Sequence, residues 1–572
     1  MAGWPLIVER QAPATAKGVA EAGAAWPGDL LTRLLAARGA DKNSLDFSLS
    51  KLPDPAALVP AAATELLLAS RAKRILIVAD YDADGATACA VMVRGLRLLG
   101  FGQVDFLVPD RFVDGYGLTP ALVARAMEAG AELIITVDNG IASLDGVAAA
   151  REAGLPVLVT DHHLPGVTLP DCVIVNPRLV PDFAAAELAG VGVAFYVLLA
   201  LRRALREQND VAGQVNLAQL LDLVALGTVA DVVKLDACNR LLVEQGLRRL
   251  RAGKGCAGLQ ALIRVAKREA SRLVAADLGF ALGPRLNAAG RLADMRHGID
   301  CLLAEDEVSA GQLAEELDAI NRDRRLIETG MQQEAEKQLA RLDLKGELPC
   351  VLSLYSGDWH EGVVGLLASR IKEKCQRPVF AFADSQQDGL VKGSGRSIAG
   401  IHLRDVLAEV ATLAPDLLDK FGGHAMAAGL TLARDKLPRL RELLVQVVAR
   451  QMTPELLTHK VVVDGRLDEQ ELTVTHAEQL SFAMPWGQGF PAPLFHGEVE
   501  VLSQKLVAEK HLKLTLGLPA THGIIDAIHF NADLSVWPQA GCKRIEAIYR
   551  LESNSFRGQL SAQLLLEHIR PV

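Results

Sequence analysis

The sequence contains no C-x-x-C pair. Its eight cysteines, Cys89, Cys172, Cys238, Cys256, Cys301, Cys350, Cys375 and Cys542, are scattered. That argues against a thiolate zinc site or a disulfide framework and points to a reducing cytoplasmic setting. The chain also has no excess of positive charge: 60 Lys and Arg stand against 69 Asp and Glu, a net charge of −9. Charge alone therefore argues against a DNA partner, because phosphate contacts need basic surface, although a basic groove can coexist with an acidic remainder. No apolar run is long enough to span a bilayer; the longest without charge, Leu188 to Leu201, is short and broken by glycines. The start, "MAGWPLIVERQ", lacks a basic stretch followed by an apolar one, so no signal peptide is expected. A soluble, cytoplasmic protein with no membrane partner is the expectation.

What the chain has is apolar material. Half of its 572 residues are apolar, too many for one compact core, so three or four domains are expected. Residues 1–70 are rich in alanine and proline, with one helical pattern in "DLLTRLLAARGA", and read as an N-terminal extension. From Arg74 onward, short Val- and Ile-rich runs, "RILIVAD", "VDFLVPD", "LIITVDN", "PVLVTDHH" and "CVIVNP", alternate with helical stretches such as "ATACAVMVRGLRLL". This alternation predicts an α/β fold with a doubly wound parallel sheet across residues 71–300, the later part mostly helical. Glu305 to Leu342 has no proline and predicts a connecting helix within 301–345, its Gly330 costing about 1 kcal/mol relative to alanine. The alternative is an ordinary solvated helix inside one domain. A second α/β domain is expected over 346–456. Strand-length segments with turn signals over 457–572 predict a small OB-like β-barrel. Aromatic residues for base stacking (Phe495, Phe530, Tyr549, Phe556) are sparse there, so the tail does not itself declare a nucleic-acid site.

In an open parallel sheet, ligands bind outside the carboxyl ends of the strands. That rule brings together Asp80, Asp82 and Asp84 from "VADYDADGATA", Asp138 from "VDNG", and Asp161, His162 and His163 from "TDHH". Asp231 ends the apolar run "LLDLVALGTVADVV" and joins them. So many carboxylates in one crevice repel unless cations sit among them. Carboxylate with imidazole suits Mn²⁺ or Mg²⁺. More ligands are present than one ion needs, and two divalent cations about 3.5–4 Å apart would use them. Such a pair hydrolyses phosphoesters. Any single aspartate could instead be a helix N-cap, and Asp161 could orient a histidine without touching metal. The histidines taken alone could be structural.

These motifs are those of a known family. "DYDADG", "VDNG", "DHH" and "GTVADVV" resemble the successive signatures of the DHH phosphoesterase superfamily, and "SGDWHEGVVGLLASRI", "VKGSGRSI" and "FGGHAMAAG" resemble its DHHA1 domain. With "GPRLNAAGR" between them and a β-rich tail, the order is similar to the superfamily's bacterial single-strand-specific 5′→3′ DNA exonucleases. The resemblance implies two Mn²⁺ or Mg²⁺ ions, release of 5′ mononucleotides in recombination and repair, and an active site between the two α/β domains. Asp80, Asp82, Asp84, Asp138, His162, His163 and Asp231 become the metal-site and catalytic candidates, with Asp138 bridging. One of the two histidines, with His162 favoured over His163, would be a ligand and the other would hydrogen-bond the scissile phosphate; Asp80 is either a ligand or a support behind one. Ser394 and Arg396, flanked by Lys392 and Ser397 in a glycine-rich loop, would hold the 5′ end of single-stranded DNA. His360 and His424 would face the metal centre, and Arg111, Arg285, Asn287 and Arg291 would contact the strand. Each arginine taken alone could be a surface ion pair. A single-strand-binding protein and a helicase are the implied partners. Alternatives within the superfamily are an oligoribonuclease or small-phosphoester phosphatase, generally shorter and lacking the β-rich tail, and a non-catalytic replication scaffold that has lost the acidic set.

Overall fold

The computed structural model describes residues 4–11, 29–111, 114–343, 348–539, 541–556 and 558–572. Part of the expected N-terminal extension, the expected boundary at residue 345 and the side chain of Phe556 lie outside the described residues. The chain forms two compact units, Glu9–Ala319 with Val463–Val572, and Met1–Val8 with Ile320–Val462.

In the larger unit the five Val- and Ile-rich runs become β1 (Ile75–Ala79), β2 (Val104–Leu107), β3 (Leu133–Val137), β4 (Val157–Thr160) and β5 (Val173–Val175). They pair in the order β2-β1-β3-β4-β5, all parallel, as the sequence leads one to expect. Strands β1, β3 and β4 are buried along their whole length, which is why they read as continuous apolar runs rather than alternating ones. Alternate residues still go to opposite faces. Ile75, Ile77, Leu133 and Ile135 pack under α1 (Ala83–Leu98). Leu76, Val78, Ile134 and Val159 pack with Leu122 of α2 (Pro120–Glu128) and Val147 of α3 (Leu144–Glu152). On the α1 side follow α4 (Gly190–Glu207), α5 (Leu221–Ala230), α6 (Ala237–Arg251) and α7 (Gly283–Leu292).

The tail is a closed barrel of β11 (Phe495–Val507), β12 (His511–Leu518), β13 (Gly523–His529), β14 (Arg544–Phe556) and β15 (Gln559–Pro571), in the order β11-β12-β13-β15-β14. Pair β13–β15 is parallel; the others are antiparallel. Barrel and parallel-sheet domain are fastened by a short helix, Leu30–Ala36. Its Leu30 and Leu34 enter the barrel core, and Leu31 and Leu35 enter the core of the parallel-sheet domain. Beside it, Arg38 lies 5.3 Å over the Trp486 ring, Trp486 stacks on Phe490 at 5.5 Å, and Arg240 of α6 lies 4.2 Å over Phe490. Arg38 also forks onto both oxygens of Asp464 at 2.8–2.9 Å, both side chains fully buried.

The expected connecting helix is α8 (Glu307–Asp343), unbroken through Gly330. The smaller unit's sheet comprises β6 (Leu352–Tyr355), β7 (Val379–Asp384), β8 (Leu390–Arg396), β9 (Lys420–Gly423) and β10 (Ala427–Ala433), ordered β9-β10-β8-β7-β6. Only β6–β7 is parallel. Helices α9 (Val364–Cys375), α10 (Leu403–Leu413) and α11 (Leu437–Ala449) accompany it. The N-terminal strand Leu6–Glu9 pairs with Lys460–Val463, so the first residues belong to this unit and not to the domain that follows them in sequence.

Candidate metal centre

All the carboxylates and imidazoles predicted for the metal site converge at the carboxyl edge of β1, β3 and β4. Asp80 follows β1, and its Oδ1 accepts the Tyr81 N–H at 2.7 Å. Asp82 caps α1, accepting the Gly85 N–H at 2.9 Å, so one oxygen serves the helix and the other is left for a ligand. Gly85 is required by contact: a Cβ there would lie 2.6 Å from the Asp80 carbonyl. Asp84, one position into the helix, is buried and accepts the N–H groups of Gly190 and Val191 at 2.6 and 3.0 Å. Asp138 follows β3 with φ of 62°, a left-handed conformation that aspartate and asparagine tolerate. It does not cap α3, whose N-cap is Ser143. Asp231 sits at the C-terminus of α5.

The two histidines differ sharply. Asp161 accepts the N–H groups of Ile141, His162 and His163 and holds His163 Nδ1 at 2.7 Å. Its bond to Nδ1 orients His163, and its oxygens fall in none of the ligand groups among the described residues. Burial pushes the Asp161 carboxyl up, but the His163 hydrogen bond and charge bring it below its ordinary value. Burial pulls His163 down, yet its bond to Asp161 and the surrounding carboxylates raise it to about 9. His162 is lowered to about 4, by burial and then by the His163 charge, so it is neutral and its Nε2 is available as a donor to metal.

Among the described residues three overlapping ligand groups result: Asp138, His162 and His163; Asp84, His162 and Asp231; and Asp80, Asp82 and Asp138, the ligand atoms in each lying within 4.8 Å of one another. His162 Nε2 is 3.1 Å from Asp138 Oδ1, 3.7 Å from Asp231 and 4.0 Å from Asp84. The buried Asp138 Oδ1 and His162 Nε2 nevertheless make no hydrogen bond in the protein. Burial first, and neighbouring carboxylates second, raise Asp80 to about 8 and Asp231 to about 7; they hold Asp84 and Asp138 well above the carboxylate range. Carboxylates kept from ionising by burial and then by one another, beside two buried atoms without a hydrogen-bond partner, are the donor set of a divalent cation. The residues present fit that group.

Around the cluster the structure adds residues that sequence reasoning missed. Tyr116 donates to the Asp138 carbonyl at 3.3 Å and meets both Tyr81 and His163 edge to face. Arg111 lies 4.8 Å over the Tyr81 ring. The only signal was proximity, since Tyr116 falls in the same "PDRFVDGYG" stretch as Arg111. Of the "GPRLNAAGR" residues, Asn287 accepts the Ala83 N–H at 2.9 Å and so braces the aspartate loop. The Arg291 charge reaches Tyr81. Arg285 is buried and tied to Asp318 at 2.8–3.0 Å and to the Ala281 carbonyl, a bracing position inside the protein.

In the smaller unit, "VKGSGRSI" is not a loop but strand β8, a correction to its reading as a phosphate-cradling turn. Its residues alternate: Lys392, Ser394 and Arg396 share the half-exposed face, while Gly393 and Gly395 face inward. Those glycines lie against the rings of Phe382 and Phe380, where a Cβ would come within 2.3 and 2.5 Å. Their amides belong to the sheet, so the polar face consists of side chains. Arg396 donates to Ser394 Oγ at 2.9 Å, beside Gly365 in the first turn of α9. Lys392 pairs with Glu361 at 2.9 Å, next to His360, whose Nδ1 accepts the Gly362 N–H. His424 lies in the β9–β10 turn, its N–H bonded to the Ala427 carbonyl.

Residues 74–228 match the DHH family N-terminal domain, 349–450 the DHHA1 domain and 463–568 the RecJ OB domain. The chain is 51% identical over 554 residues to the single-stranded-DNA-specific exonuclease RecJ of Dickeya dadantii, covering 95% of this chain and 96% of that one. It is 52% identical to the Escherichia coli protein of the same name, covering 87% and 88%. Among solved structures, RecJ of Thermus thermophilus in complex with Mn²⁺ aligns with a TM-score of 0.78 at 31% identity, covering 94% of this chain and 75% of that one. Its complex with Mg²⁺ aligns at 0.72.

Proposed function

The chain belongs to the RecJ family of single-stranded-DNA-specific exonucleases, and from that premise we propose that it degrades single strands from the 5′ end, releasing 5′ mononucleotides. It is a nuclease of single-stranded DNA that uses Mn²⁺ or Mg²⁺. The observation that carries the reading is the convergence of a complete acidic and imidazole set at one sheet edge, with ligand atoms within 4.8 Å. Two divalent cations, when bound, supply an activated water and neutralise charge developing at phosphorus. Asp82, Asp84, Asp138, His162 and Asp231 would hold them, Asp138 and His162 each falling in two of the three ligand groups. Asp80 would support from the edge of the cluster. His163, kept protonated by Asp161, would donate to a phosphate oxygen. Ser394 and Arg396 would bind the terminal phosphate, and Arg111 and Arg291 the backbone near the aspartate loop. Arg285 and Asn287 serve the strand indirectly, through their bracing bonds. Work alongside a single-strand-binding protein and a helicase in cytoplasmic DNA repair fits this activity.

The test is a time course with 5′- and 3′-labelled oligonucleotides, single- and double-stranded, with Mn²⁺ or with EDTA. Label should leave 5′-phosphorylated single strands first, and EDTA should abolish it. Release first from the 3′ end, or equal degradation of blunt duplex, would sink the proposal.

A further inference from the structure

Helix α4 is 18 residues long and its first two turns are buried, yet its N-cap is Ala189, which has no side chain to accept a hydrogen bond. The acceptor comes from elsewhere. Asp84, more than a hundred residues earlier, takes the Gly190 N–H on Oδ2 at 2.6 Å and the Val191 N–H on Oδ1 at 3.0 Å. A candidate metal ligand thus doubles as the helix cap. Both its oxygens are pinned by backbone donors, at the end of a helix where partial positive charge accumulates. Space is equally constrained. A Cβ on Gly190 would lie 2.5 Å from Asp138 Oδ1, and one on Gly227 of α5 would lie 2.8 Å from Asp84 Oδ1. The backbone at residue 190 therefore touches two separate carboxylates of the cluster, and no other residue type fits between them.

We infer that the N-terminus of α4 is a positioning element for the metal centre: Gly190 and Val191 fix the plane of Asp84 and offset its negative charge, and Gly190 sets its spacing from Asp138. The inference rests on the reading above only in taking the cluster to bind divalent cations. Neither residue would be a ligand. Backbone partners of this kind, behind a ligand, tune metal affinity about 10–100-fold when disturbed.

The experiment titrates Mn²⁺ into metal-stripped full-length protein by calorimetry, for the wild type, Gly190→Ala and Ala189→Ser. Each is paired with thermal unfolding in EDTA and with the Mn²⁺ concentration giving half-maximal hydrolysis. Gly190→Ala should weaken Mn²⁺ binding about 10–100-fold and raise the half-maximal Mn²⁺ concentration in parallel, with kcat at saturating Mn²⁺ much less affected. Ala189→Ser places a local hydroxyl acceptor at a residue already in the extended capping conformation. It should compete with Asp84 for the Val191 N–H, the second of the helix, weakening Mn²⁺ binding several-fold while the metal-free protein unfolds at the same or a higher temperature. If Gly190→Ala does not fold, Ala189→Ser decides. Wild-type Mn²⁺ affinity in Ala189→Ser, or in a folded but less stable Gly190→Ala, would overturn the inference. A wild type that binds no Mn²⁺ would instead overturn the metal-centre reading itself.

Discussion

Replacing Asp138 by asparagine should stabilise the metal-free protein while nearly abolishing hydrolysis. Asp80, Asp82 and Asp138 offer oxygens within 4.8 Å of one another. Unit charges at that distance repel by about 3–4 kcal/mol at an effective dielectric near 20. Protons shared across the cluster relieve part of this, which leaves an expected gain of about 1–3 kcal/mol on removing one charge, or roughly 1–3 °C in Tm for a unit of this size. Asparagine is the right replacement because the backbone at 138 is left-handed, a conformation it accepts. Asp138→Ala removes the same charge but meets a backbone penalty of about 1–2 kcal/mol, so it should gain less. Unfolding would be followed by scanning calorimetry in EDTA and again in Mn²⁺, alongside release of label from a 5′-phosphorylated oligonucleotide. In Mn²⁺ the wild type should gain stability and the variant much less. A variant less stable than wild type in EDTA, or one retaining substantial hydrolysis, would refute the reasoning that repulsion among these carboxylates is held in check by cations.

Further outcomes follow from the same geometry. Metal-free stability should fall as pH rises from about 6.5 to 9. Asp80, Asp231 and His163 all bind protons more tightly folded than unfolded; Asp80 and Asp231 lose their contribution from the ordinary carboxylate range up to folded values near 8 and 7, and His163 loses its own from its ordinary value up to about 9, so above pH 6.5 all three work in the same direction. Saturating Mn²⁺ should flatten the slope, and a flat slope in EDTA would count against the cluster's electrostatics. Asp161→Asn, which weakens the bond holding His163, should lower kcat about 10–100-fold, whereas an unchanged kcat would remove His163 from the reaction. Gly393→Ala should destabilise the protein by about 1–3 kcal/mol by forcing a methyl group into the Phe382 ring, as read by urea unfolding.

Much of the carboxylate-rich edge was legible because parallel topology places strand ends side by side. Asp80, Asp138 and Asp161 each follow an apolar run, and a single rule collects them. Asp161 also illustrates a limit, since its bonds to backbone N–H groups and to His163 leave no mark in "TDHH". Gly190 and Val191 carry no mark in "ELAGVGVAF", because their role depends on where α4 begins relative to α1. Strand β8 misled for a different reason. Glycines at alternate positions usually signal turns, but here they answer to Phe380 and Phe382 on the neighbouring strand, a pairing no local pattern contains. Arg285 looked like a DNA contact because arginine is ambiguous until its partner, Asp318, is seen.

The helix Leu30–Ala36 is a splint with a leucine pair in each of two cores, reinforced by the column of Arg38, Trp486, Phe490 and Arg240. A strand held by the barrel would therefore be held at a constant arm's length from the carboxylate cluster. Oligonucleotides shorter than that arm would be cut without a handhold, and KM should step upward at one length instead of drifting, as it would if the barrel swung freely on its tether.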